Sequence, residues 1–140
     1  IENPHFNLTI VGPVEIPADL GSLPNVGSAP FVDFLRLPGL MTRCNTVIAP
    51  LEISDFTECK SRVKFLEAAL SGTRLLSSPI PDMTAVGKNH LTLVESRDEW
   101  YESLSSPPAL GEYRAQAIDN FEFLHDTSHV DGLTTFWGAA

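Results

Sequence analysis

The sequence predicts an α/β fold built on a parallel sheet covered on both faces, and three observations lead there. Apolar runs such as Leu8-Thr9-Ile10-Val11, Thr46-Val47-Ile48-Ala49 and Leu91-Thr92-Leu93-Val94 lack the polar alternation of a half-exposed strand. Segments of helical periodicity separate them. Gly or Pro punctuates most of the junctions. The chain has 140 residues, enough for one compact core and too few for two.

Each element follows in order. Leu8 to Val11 reads as a buried strand ended by Gly12-Pro13, and residues 13–25, rich in Pro and Gly, read as a loop. A short strand is expected at residues 26–29 and a short helix at 31–37, stopped by Pro38-Gly39. The run from Thr46 to Ala49 is a strand closed by Pro50. Residues 60–71 carry helical periodicity up to Gly72, a residue that often follows a helix end. Arg74-Leu75-Leu76-Ser77 is the next strand, bounded by Pro79 and Pro81, with a short helix at 82–87 and a strand at 91–94. Ser96-Arg97-Asp98-Glu99 is a capping-box pattern that starts a helix running to about Leu104. After Pro107-Pro108 a last long helix is expected, with Leu110, Tyr113, Ala117, Phe121 and Leu124 on one apolar face. This alternation makes a three-layer Rossmann-like domain the natural subtype.

Composition narrows the partners. With 43% apolar residues the chain buries a core, so disorder is excluded as the default. Its net charge of −9 repels nucleic acid and anionic lipid surfaces. Cys44 and Cys59 form no C-x-x-C and lack histidine partners at zinc spacing, so no metal is expected and reduced thiols in a cytoplasmic protein are. His5, His90, His125 and His129 are scattered. His125 and His129 stand at i, i+4, but no third ligand accompanies them. No apolar run approaches the ~20 residues of a membrane span, and no leader opens the chain. Ser77-Ser78 lacks a nucleophile elbow, and no Gly-x-Gly-x-x-Gly marks a dinucleotide site.

In an open parallel sheet, ligands bind beyond the carboxyl ends of the strands. Three loops qualify: Gly12-Pro13, residues 50–59 and residues 77–82. The middle loop leads into Lys60-Ser61-Arg62-Val63-Lys64-Phe65-Leu66-Glu67. On one helix Lys60, Lys64 and Glu67 share a face, while Val63, Leu66 and Leu70 form an apolar face toward the sheet. Two lysines in a first helical turn repel each other and oppose the helix dipole. A diphosphate at that end reverses both penalties, and Glu67 can accept from sugar or ribose hydroxyls. The plainer reading is solvated lysines, with Glu67 paired to Lys64 at i+3.

The segment from Asn45 to Pro79 resembles the carboxy-terminal domain of group 1 (family 4-like) glycosyltransferases. One branch of that family carries Phe–Asn–x–x–Lys–Ser–x–x–Lys–x–Leu–Glu. Here the pattern is Phe56-Thr57-Glu58-Cys59-Lys60-Ser61-Arg62-Val63-Lys64-Phe65-Leu66-Glu67. Ile10-Val11-Gly12-Pro13, Leu23-Pro24-Asn25-Val26 and Asp98-Glu99-Trp100-Tyr101 also match, so the likeness covers most of residues 6–125. It implies the C-terminal half of a GT-B fold, lacking its first strand, loop and helix, in a single nucleotide-sugar-binding domain over residues 1–140. The implied donor is a nucleotide-diphosphate sugar, and the acceptor a growing polysaccharide or a lipid-linked sugar. No cofactor and no metal are implied.

The resemblance further implies that Lys60, Ser61 and Lys64 hold the diphosphate and Glu67 the ribose, while Gly12 lets the backbone approach the ligand. Cys59 stands where the first glutamate of the family's Glu-x7-Glu motif belongs, and Glu58 is one residue out of register. Groups acting on the acceptor fall to an absent amino-terminal Rossmann domain. The isolated chain is therefore expected to be inactive, and any attachment to the inner membrane is expected through that domain. Catalytic residues are not assigned. A non-catalytic module descended from such an enzyme is the alternative, and an epimerase of the same architecture is a third possibility.

Overall fold

The computed structural model describes residues 6–87 and 90–117. The chain divides into two compact units, one ending at Leu37 and one beginning at Pro38. The fold is α/β with parallel sheets of two and three strands, a pattern compatible with a Rossmann-like layout.

In the first unit, strand β1 (Leu8–Val11) pairs in parallel with β2 (Val26–Ala29), from Leu8 opposite Val26 to Val11 opposite Ala29. A parallel pair needs a crossover. Residues 13–25, expected as plain loop, supply it with a single helical turn, α1 (Ala18–Gly21). Pro17 at its N-cap fixes the approach, and Ser22 closes its end by donating to the Asp19 carbonyl. Asn25 ties the start of β1 down by donating to the Phe6 carbonyl at 2.9 Å.

The helix expected at 31–37 is displaced. Asp33 gathers the amides of Leu35, Arg36 and Leu37 with its side chain and carbonyl, making a turn, and α2 (Leu37–Met41) follows. Pro38 and Gly39 therefore lie in the first turn of the helix instead of stopping one. Proline is tolerated there because first-turn amides have no intrahelical acceptor.

The second unit is ordered β3 (Thr46–Ala49), β4 (Arg74–Ser77), β5 (Leu91–Leu93), all parallel. Between β3 and β4 stand α3 (Asp55–Glu58) and α4 (Val63–Leu70); α5 (Pro81–Thr84) joins β4 to β5, and α6 (Arg97–Ser105) follows. The core gathers Ala49, Phe65, Ala68, Ala69, Leu75, Ile80, Met83 and Val86. The buried face of α4 thus differs from the expected one: Phe65, Ala68 and Ala69, at i, i+3 and i+4, are fully buried, whereas Val63 and Leu70 are 51% and 47% exposed. One large ring flanked by two alanines lets the helix sit close to β4, and Leu66 packs at the margin.

A long helix beginning near Leu110 does not form over the described residues. Gly111, at φ 78°, turns the chain, the Ala109 amide donates to the Glu112 carboxylate, and a 3₁₀ turn at Arg114–Gln116 follows, with Ala117 helical after it. Phe121 and Leu124 of the expected face lie outside the described residues. The end of α6 and the segment after it are tied to residues at and just before the amino ends of β3 and β4. Arg74 donates to the Ser103 and Ser106 carbonyls, Asn45 to that of Pro108, and Arg114 to that of Thr42. Burial holds the Arg74 pKa below its ordinary value, against the opposing fields of Tyr113 and Glu112.

Candidate functional site

Because β3, β4 and β5 run parallel, their carboxyl ends share one edge of the sheet. The turn joining β3 to α3 is built by hydroxyl groups. Ser78 accepts from the Leu51 amide at 2.9 Å, its own amide donates to the Ala49 carbonyl, and the Ser77 hydroxyl donates to the Ser78 carbonyl. Both serines are buried and serve the backbone. Ser54 caps α3 reciprocally with Thr57, which also donates to the Glu52 carbonyl.

The helix expected at 60–71 forms as α4 but starts three residues later, at Val63, and a separate short helix, α3, precedes it. Continuity through residues 59–62 needs the Arg62 amide to donate to the Glu58 carbonyl. It donates instead to Asp82 Oδ2 at 2.7 Å, and the Arg62 guanidinium reaches Asp82 Oδ1, also at 2.7 Å. Helix α4 therefore starts at Val63, with its amino end at the sheet's carboxyl edge beside α5. Its first-turn amides of Val63, Lys64 and Phe65 have no acceptor within the helix.

The proposed ligands now have definite places. Lys60 and Ser61 are exposed and lie in the connection before α4, not on it. Lys60 Nζ sits 5.2 Å from the centroid of the Phe56 ring, a cation–π contact on an exposed aromatic. Lys64 Nζ donates to Glu67 Oε2 at 2.7 Å. Lys64 and Glu67 are thus brought together and paired, whereas Lys60 is not on their helix face. Among the described residues Lys60 has no carboxylate partner. Gly12 belongs to the first unit. Its φ of 115° is reserved in practice for glycine, and no atom lies within 4 Å of where a Cβ would stand.

Sequence reasoning missed Arg62 and Asp82 as partners, and no spacing rule links residues that far apart in the chain. It also missed the α3 cap, although a hydroxyl residue, Thr57, stands three positions after Ser54. Cys44 and Cys59 are exposed free thiols. His5, His125 and His129 lie outside the described residues. Among those described, no three His, Cys, Asp or Glu are grouped to hold a metal, and no helix is long and apolar enough to cross a membrane.

No protein family, no curated protein and no solved structure matches the chain.

Proposed function

We propose that this chain is the carboxy-terminal, donor-binding half of a two-domain glycosyltransferase, holding a nucleotide-diphosphate sugar for transfer to a polysaccharide or lipid acceptor. The observation that carries the reading is that Lys60 and Ser61 immediately precede the amino end of α4, a helix that follows β3 at the carboxyl edge of a parallel sheet, where such folds take ligands. The glycosyltransferase-like pattern from Phe56 to Glu67 supplies the substrate class. An arriving diphosphate takes Lys64 from Glu67. The freed carboxylate then accepts from ribose hydroxyls. Gly12 is assigned separately, on the open space beside its backbone. The remaining chemistry and the acceptor belong to an amino-terminal domain, which also makes any membrane attachment of this cytoplasmic protein.

A second reading, a non-catalytic module of the same descent, is favoured by two observations. Both Lys64 and Arg62 are already neutralised by carboxylates of this chain, and Cys59 stands at the position of the motif's first glutamate. Calorimetric titration with uridine and guanosine diphosphates separates the two. Binding that is lost in Lys60→Ala and in Glu67→Ala supports the donor site; a folded protein that binds neither nucleotide supports the module.

A further inference from the structure

We infer that Asp82 is a positioning residue for the diphosphate turn, acting through Arg62. The inference rests on the donor-site reading above and adds what holds that site in shape. Residues 59–61 are exposed and contribute nothing to the core, so burial does not fix the turn that carries Lys60 and Ser61. Asp82 is mounted differently. It sits on α5 between Ile80 and Met83, which are 0% and 1% exposed, and so it is referenced to the core on both sides.

Both oxygens of the Asp82 carboxylate are used by one residue. Oδ1 receives the Arg62 guanidinium, and Oδ2 receives the Arg62 main-chain N–H. The side chains of this pair are about one-third exposed, and ion pairs so exposed add little stability. The main-chain bond has a geometric consequence instead. It fixes the backbone at Arg62, ends the helical path from α3, and sets where α4 begins. Lys60 and Ser61 lie two residues and one residue before that fixed point, so the turn that carries them is anchored by Asp82.

The competing role for Asp82 is an internal anion that keeps phosphate away, and the two roles predict opposite results. In the experiment, the parent protein, Asp82→Ala and Asp82→Asn are titrated with uridine diphosphate and inorganic pyrophosphate, and amide hydrogen exchange is measured on each. A positioning role predicts that Asp82→Ala weakens both ligands roughly tenfold, the order of one charge-assisted hydrogen bond. Exchange then accelerates at Ser61 and Arg62, while Leu75 and Leu76 in β4 keep their protection. Asp82→Asn, which retains an acceptor for the Arg62 amide, recovers most of the affinity. Unchanged or tighter binding by Asp82→Ala overturns the inference and leaves the donor site standing. If the parent binds neither ligand, the donor-site reading fails, and this inference falls with it.

Discussion

Gly72 does two jobs that no other residue can do at that position. It takes φ 62° after α4, so that its own amide donates to the Ala69 carbonyl and that of Thr73 to the Ala68 carbonyl, the paired bonds of a Schellman ending. It also gives way to Arg114, whose Cα would lie 2.6 Å from an added Cβ. Gly87 has nearly the same φ, 60°, with nothing within 4 Å. Gly87→Ala is therefore expected to cost about 1–2 kcal/mol, the left-handed backbone alone. Gly72→Ala adds overpacking against a backbone and should cost roughly 2–5 kcal/mol. Urea unfolding of the two variants checks the difference, and equal losses would contradict the close approach. The helix end at Gly72 was legible from local sequence, because a glycine after an apolar helix is a local signal. The need for empty space beside it was not, since Arg114 arrives from a distant segment. The same limit governs the site. Spacing displayed Lys64 beside Glu67, and that pairing is present, but spacing has no means to see Asp82 capture Arg62.

Helix α6 was read from its capping box, whereas the starts of α2 and α4 were set by side-chain bonds outside the helical pattern. Helix α6 begins where the Ser96 and Glu99 pattern requires, with Ser96 accepting from the Glu99 amide at 3.2 Å and Glu99 accepting from the Ser96 amide at 2.9 Å. The break between α3 and α4 came from Asp82, and α2 shifted because Asp33 organised the turn before it. The capping box carries a pH dependence. The backbone N–H of Ser96, then that of Glu95, hold the Glu99 carboxyl below its ordinary pKa. A depressed folded pKa means that the ionised group favours the fold above the ordinary glutamate range, and that this contribution fades as pH falls through the depressed value. The stability gap between the parent and Glu99→Gln should accordingly be widest at neutral pH and close on acidification. Denaturant midpoints measured along a pH series test this, and a gap that widens toward acid would contradict the cap.

The strands and their parallel pairing were within reach of the sequence because buried apolar runs and glycine or proline stops are local features. Their division into a two-stranded and a three-stranded sheet in separate compact units was not, because a boundary such as that between Leu37 and Pro38 reflects which contacts are missing. The functional account depends on a diphosphate reaching the amino end of α4. Amide chemical shifts recorded while uridine diphosphate is added locate the ligand residue by residue. The account predicts the largest changes at Lys60, Ser61, Val63 and Lys64, with Glu67 responding as its lysine is drawn away. Saturable changes centred elsewhere, or none in the folded protein, would contradict it.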